Sequence, residues 1–168
     1  MSLLEGGAPG VTIVRAGEGP SHWLVGDTYT TKATAESTGG AFGLLEASVP
    51  PGGGPPPHVH TREDEAFYLL DGVLEVTAGE ATMLVRPGDF VFLPRGTVHW
   101  FTNPSVDAAR ALFWATPGGF ERFFTEAGTP ARRGEPAPPF DPAGFGRLAE
   151  LSLRYGAEIQ APSGIPAD

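Results

Sequence analysis

Two histidines, an acidic cluster and a short apolar run follow one another in residues 57–72, which read PHVHTREDEAFYLLDG. His58 and His60 are two positions apart, so both side chains lie on the same side of an extended strand. Alternation along the following run places Glu65 on one face together with Phe67 and Leu69. Because a buried carboxylate without a partner is costly, this placement indicates that Glu65 has a partner inside the fold.

The dipeptide Asp71-Gly72 ends this run and is a strong indication of a two-residue β-hairpin turn. Such a turn fixes the register, with Leu69 opposite Leu74 and Phe67 opposite Val76. The predicted hairpin therefore has one apolar face, which we expect to face the core.

A third histidine, His99, follows the turn Pro94-Arg95-Gly96-Thr97, which we expect to open a new strand. Three imidazoles and one carboxylate form a donor set that suits Mn, Fe, Co, Ni, Cu or Zn in the divalent state. Sites of this kind usually leave one or two positions for water or substrate. The sequence therefore predicts one divalent transition metal ion held by His58, His60, Glu65 and His99.

Two acidic residues precede Glu65 directly and bear on the choice of carboxylate. Asp64 is an alternative ligand, although the strand phase favours Glu65. Glu63 is expected to be exposed. The fourth histidine, His22, stands apart from this cluster and is assigned no role.

Short β-prone segments separated by turns rich in glycine and proline predict an all-β fold. The run of prolines and glycines at residues 50–57 fits neither a helix nor a central strand. Two helices are predicted near the carboxyl end, at 120–127 and from Asp141 to Gly156. The predicted strands are 22–31, 42–49, 65–70, 73–77, 82–85, 89–93, 98–103 and 109–116.

The composition excludes several classes of function. A formal net charge of −9 repels phosphate backbones, so we expect no nucleic-acid partner. The chain has no cysteine, which excludes disulfides and thiolate metal sites. No run is long and apolar enough to cross a bilayer and no signal peptide is recognisable, so we expect a cytoplasmic protein without a membrane partner.

The spacing of these residues resembles that of the cupin superfamily. Its first motif is matched by Gly52-(five)-His58-Val59-His60-(four)-Glu65-(six)-Gly72, and its second by Gly88-(five)-Pro94-Arg95-Gly96-(two)-His99-(three)-Asn103. The resemblance implies a double-stranded β-helix, also called a jelly-roll barrel, with one or two short C-terminal helices. It also implies a single domain over 1–168, with the barrel core at about 22–117 and a helical extension at 118–168. In the family, the matching positions bind the metal, which gives His58, His60, Glu65 and His99.

The wording of both motifs is similar to that of single-domain cupins of the quercetin 2,3-dioxygenase-like kind. This resemblance implies a metal-dependent dioxygenase acting on a flavonol or a similar small enol or aromatic substrate. Glu65 would be the catalytic residue that accepts the hydroxyl proton, a role that requires burial to raise its pKa. The alternatives are a metal-dependent isomerase or cyclase of a small oxygenated substrate, and a non-enzymatic metal- and ligand-binding protein. Small cupins commonly pair, so a homodimer is also implied.

Overall fold

The computed structural model describes residues 10–160, which form two antiparallel β-sheets and two short helices. One sheet has seven strands in the order β11-β1-β2-β3-β10-β5-β8, and the other has five in the order β12-β4-β9-β6-β7. The helices are α1 (Glu121–Ala127) and α2 (Phe145–Arg154). The strands are Ser21–Leu24 (β1), Asp27–Ala33 (β2), Gly43–Val49 (β3), His58–His60 (β4), Asp64–Asp71 (β5), Leu74–Ala78 (β6), Ala81–Val85 (β7), Phe90–Leu93 (β8), His99–Thr102 (β9), Ala109–Thr116 (β10), Thr129–Pro130 (β11) and Ala157–Ile159 (β12).

The core lies between the inner faces of the two sheets. Strict alternation in β3 and β10 buries every second side chain, as the sequence pattern requires. Phe67 and Phe113 come from the seven-stranded sheet, and Phe101 comes from the other sheet. The rings of Phe101 and Phe113 stack with centroids 5.1 Å apart. This arrangement is the all-β jelly roll that the sequence predicts.

The predicted hairpin at Asp71-Gly72 is wrong. Strand β5 pairs with β10 and β8, whereas β6 pairs with β9 and β7 in the other sheet, so the chain changes sheets here. Leu69 lies opposite Ala111, not Leu74. Gly72 has φ 79°, and a Cβ at this position would overlap Ala109. Glycine therefore fits the point where the chain passes from one sheet to the other. The predicted inward face is nevertheless confirmed, because its four apolar side chains are buried.

The predicted strand at residues 22–31 is in fact a hairpin of β1 and β2. Val25 and Gly26 form its turn, with φ angles of 53° and 83°. Two successive positive φ angles are the geometry of the tight turns that join twisted antiparallel strands. The sequence does not indicate this turn, because a β-branched residue such as Val25 seldom adopts a positive φ.

The two predicted helices are confirmed, with a 3₁₀ turn at Pro142–Gly144 leading into α2. Asp141 caps this turn by accepting a hydrogen bond from the backbone N–H of Ala143. The extension at 118–168 is not purely helical, because it also contributes β11 and β12, which pair with β1 and β4. Its last residues, 161–168, and the first residues of the predicted domain, 1–9, lie outside the described residues. Within residues 10–160, neither helix has the length and apolarity needed to span a bilayer.

Candidate metal centre

Four side chains predicted to act together converge at one point in the barrel. His58, His60, Glu65 and His99 each offer one ligand atom, and these atoms all lie within 4.8 Å of one another. The two histidines of β4 and His99 of β9 come from the five-stranded sheet, and Glu65 comes from β5 of the other sheet. His58 and His99 are 41 positions apart in the sequence, and they meet because they are direct cross-strand partners.

The proline- and glycine-rich loop at residues 50–57 positions β4 beside β9. Gly54 has φ 135°, and a Cβ there would overlap the backbone carbonyl of Phe101 on β9. Only glycine fits this close approach, which brings the loop against β9 just before His58. On its other side β4 pairs with β12, so this three-residue strand is held from both edges.

Backbone carbonyls orient two of the three imidazoles. His58 Nδ1 lies 2.9 Å from the carbonyl oxygen of Pro56, and His99 Nδ1 lies 2.9 Å from that of Thr97. A carbonyl oxygen only accepts hydrogen bonds, so Nδ1 is the protonated nitrogen in both rings. The Nε2 atom of each ring is thereby left to face the cluster, where His99 Nε2 lies 2.8 Å from Glu65 Oε2.

The imidazole of His60 has no hydrogen bond from either nitrogen within the described part of the chain. Its Nε2 lies 3.5 Å from Glu65 Oε2, and its Nδ1 lies 3.6 Å from Glu63 Oε2. The ring is buried, with the Phe120 ring 4.4 Å away. A buried imidazole with free nitrogens inside a cluster of donors fits a bound cation.

The expectation that Glu63 is exposed is wrong. Only 6% of Glu63 is exposed, and its carboxylate faces His60 from the side opposite to the cluster. Glu63 lies between β4 and β5, where strand alternation gives no information on side-chain direction. The one indication in the sequence is its position three residues after a histidine of the predicted ligand set.

Asp64 is not part of the cluster. It forms an ion pair with Arg95, with Oδ2 2.9 Å from the guanidinium, and its Oδ1 accepts the backbone N–H of Arg95. These hydrogen bonds lower the pKa of Asp64 to about 2. The structure thus places Glu65, and not Asp64, beside the three histidines.

The protonation states of the cluster suit a cation. Burial lowers the pKa of His58 to about 3, and the charge of His99 acts in the same direction. Burial raises the pKa of Glu65, but the His99 hydrogen bond and the charges of the three histidines outweigh it, so the pKa is lowered to about 2. Near neutral pH, His58 is thus neutral and Glu65 ionised, which are the forms that bind metals. Burial lowers the pKa of His99, but the hydrogen bond and the charge of Glu65 outweigh it and raise this pKa, so a metal bound by His99 would displace a proton from its Nε2.

A cavity of about 70 Å³ adjoins the cluster inside the barrel. Its walls are mostly apolar, and none of the described residues that line it is a lysine or an arginine. Phe67 and Phe101 are among these residues. Helix α1 and the residue before it contribute three aromatic side chains to its lining, Phe120, Phe123 and Phe124.

Comparison with known proteins gives consistent relatives. The sequence model of the cupin domain matches residues 45–115. Quercetin 2,3-dioxygenase of Bacillus subtilis is 29% identical over 126 residues, which cover 75% of this chain and 37% of that protein. A germin-like protein of Arabidopsis thaliana, subfamily 2 member 2, is 40% identical over 74 residues, covering 41% and 34% of the two chains. The matched segments thus span about a third of the length of these two curated relatives.

Two solved structures share the fold. A predicted oxalate decarboxylase from Thermotoga maritima superposes with a TM-score of 0.60 at 19% identity, covering 63% of this chain and 99% of that one. An RmlC-like cupin from Shewanella frigidimarina superposes with a TM-score of 0.57 at 15% identity, covering 67% and 96%. At these identities the similarity extends to the fold alone.

Proposed function

Because this chain belongs to the cupin superfamily, we propose that it is a metal-dependent dioxygenase acting on a small, uncharged enol or aromatic substrate. The observation that carries this proposal is the convergence of three imidazoles and one carboxylate beside an apolar cavity. The similarity to a quercetin 2,3-dioxygenase supports the reaction class. We propose His58, His60, Glu65 and His99 as the ligands of one divalent transition metal ion.

A divalent transition ion at this position would supply Lewis acidity and reactivity with dioxygen, which the protein's own side chains lack. Around such an ion, the imidazoles and the apolar walls of the cavity have separate roles. The imidazoles of His58 and His99, fixed by their carbonyl partners, present Nε2 towards the cluster. The apolar walls keep bulk water away from the reacting groups, which strengthens every electrostatic interaction inside the cavity.

Glu65 is the proposed proton acceptor for the substrate hydroxyl. The expectation that burial raises the pKa of Glu65 is wrong: burial acts in that direction, but the His99 hydrogen bond and the neighbouring histidines outweigh it and lower the pKa to about 2. The carboxylate is therefore ionised and able to accept a proton, while its low pKa makes it a weak base. Because the His99 hydrogen bond is one of the causes that lower the pKa, loss of that bond would make Glu65 a stronger base.

The cavity favours an uncharged substrate of limited size. With no lysine or arginine among its described lining residues, the cavity offers no counter-ion to a phosphate or carboxylate group beyond the metal centre itself. Its volume of about 70 Å³ is well below the 300 Å³ or so of a pocket that buries a drug-sized ligand. A flavonol would require this cavity to widen, whereas a one-ring or open-chain enol requires less widening.

The proposal is tested by measuring oxygen uptake with purified protein loaded separately with Fe, Mn, Co or Ni. Quercetin and a small 1,3-diketone serve as a large and a small enol. We expect uptake with at least one metal, its loss in Glu65→Gln, and its retention in Asp64→Asn, a matched change to the adjacent carboxylate outside the cluster. No uptake with any metal and either enol would overturn the dioxygenase proposal. Turnover without dioxygen would instead support an isomerase or cyclase.

A further inference from the structure

Asp27 and Tyr29 form a buried pair beside the cavity that adjoins the metal cluster. Both belong to β2, and because they are two positions apart, their side chains lie on the same, inner side of the strand. The Tyr29 hydroxyl donates a hydrogen bond of 3.0 Å to Asp27 Oδ2. Tyr29 lines the cavity together with Glu65 and the three histidines of the cluster, whereas Asp27 is not among its described lining residues. The pair therefore places a carboxylate one hydrogen bond away from the cavity.

The surroundings of Asp27 give its ionised form little support. Asp27 is fully buried, and among the described residues only the Tyr29 hydroxyl and the backbone of Gly54 favour the ionised form. Neither of these groups is charged at neutral pH. An asparagine would accept the same hydrogen bond from Tyr29 without the cost of burying an ionisable acid. A buried acid kept one hydrogen bond from a cavity therefore indicates a group that takes up and releases a proton.

We propose that Tyr29 and Asp27 act as a relay that takes up the proton of the substrate hydroxyl, an inference that rests on the proposed enol substrate. As the substrate O–H bond breaks, its proton binds the Tyr29 oxygen, and the original Tyr29 proton moves along the hydrogen bond to Asp27 Oδ2. The products are a substrate enolate and a neutral carboxylic acid, and the tyrosine is neutral before and after. Tyr29 is the catalytic residue of the pair, and Asp27 is a positioning residue that orients the hydroxyl and holds the proton.

The acidities of the two groups suit this relay. Burial raises the pKa of Asp27 to about 7, and a general base works best when its pKa lies near the operating pH. Burial and the charge of Asp27 raise the pKa of Tyr29, so its hydroxyl stays protonated and only exchanges one proton for another. Glu65 is also a proposed metal ligand, and a carboxylate that binds a cation accepts a proton weakly. The pair thus adds a second proton acceptor that does not compete with metal binding.

The test follows enolate formation without dioxygen, so it is separate from the test of the dioxygenase proposal. Full-length protein loaded with Ni is mixed with acetylacetone, a small 1,3-diketone, and the ultraviolet absorption of the enolate is followed over a pH range around the pKa of Asp27. In the unmodified protein the rate should rise as Asp27 ionises and then level off. Asp27→Asn should remove this rise, and both Asp27→Asn and Tyr29→Phe should lower the rate about 100-fold, the lower end of what a general base contributes. Tyr68→Phe, which changes an exposed tyrosine, is the matched control and should keep the rate and the pH profile.

Infrared difference spectroscopy of the same mixture reports on Asp27 itself. At a pH above its pKa, addition of acetylacetone should produce the carbonyl band of a protonated carboxylic acid. This band should be absent in Asp27→Asn, and a merely structural role for Asp27 would not produce it.

The relay is overturned if the metal-loaded, unmodified protein forms no enolate, or if either folded variant keeps its rate and pH profile. Circular dichroism and elemental analysis show that each variant is folded and holds metal. Tyr29→Phe keeps the ring that packs 4.5 Å from that of Phe124, so it gives the result if Asp27→Asn does not fold. Enolate formation through the pair without oxygen uptake would overturn the dioxygenase proposal alone, and oxygen uptake unaffected in both variants would overturn the relay alone.

Discussion

Asp27 provides a prediction whose size can be calculated from the structure. It is fully buried at the start of β2, where its Oδ2 accepts a hydrogen bond of 3.0 Å from the Tyr29 hydroxyl. Burial raises the pKa of Asp27 from 3.8 to about 7, although hydrogen bonds from Tyr29 and from the backbone of Gly54 act in the opposite direction. Its carboxylate lies beside Gly53, in the loop that leads to His58.

The sign and size of the effect follow from proton binding. Between pH 4 and pH 7 the folded protein keeps the proton on Asp27 while the unfolded chain loses it, so stability falls as the pH rises through this window. One pKa unit corresponds to about 1.4 kcal/mol, which gives a total loss of about 4 kcal/mol. In Asp27→Asn no proton is released, so this loss should disappear.

The assay is urea unfolding of the unmodified protein and Asp27→Asn, both without metal, from pH 4 to pH 8. The stability of Asp27→Asn relative to the unmodified protein should rise by about 4 kcal/mol across this range. Other titrating groups, such as His58, cancel in the difference. Glu75→Gln, which removes an exposed carboxylate, is the control for the loss of one acidic side chain. A constant difference for Asp27→Asn would refute the reasoning.

Three further predictions concern the metal, the core and the loop before β4. His99→Ala should lose bound metal in elemental analysis together with the rise in melting temperature that added metal gives, whereas His22→Ala should keep both. Phe67→Ala, which empties a fully buried position, should lower the free energy of unfolding in urea by about 3–5 kcal/mol. Gly54→Ala should destabilise more than Gly52→Ala in the same assay, because only the first adds a Cβ that overlaps backbone. The second should cost about 1–2 kcal/mol for its positive φ.

The fold was predictable where the pattern is local and long enough to read. The alternation of β5 identified its inner face, because burial of one face dominates the choice of residues along a strand. Strand pairing was not predictable from the same residues. The Asp71-Gly72 turn fits a hairpin locally, but β5 already has partners on both edges, and those partners come from later in the chain.

The short strands and the loop between β4 and β5 could not be predicted from the sequence. Strands β11 and β12 have only two and three residues, too few to show a period, and they exist because β1 and β4 offer unpaired edges. Glu63 lies outside any alternation, so its burial depends on how the loop packs. The convergence of the four candidate ligands was predictable from the spacing of the two motifs. The position of the Glu63 carboxylate beside His60 was not, because it depends on tertiary structure.

The motif residues have a further role that their spacing alone does not reveal. Two histidines each bond, through Nδ1, the carbonyl oxygen of the residue two positions earlier, at Pro56 and Thr97. Any residue has a carbonyl, so this contact constrains the backbone path and not the side chain at those positions. The prolines of 55–57 and the Pro94-Arg95-Gly96 turn restrict that path, with Gly96 at φ 83°. Rigid turns before His58 and His99 therefore determine which nitrogen faces the cluster, and the orientation of these two rings is fixed by local backbone geometry.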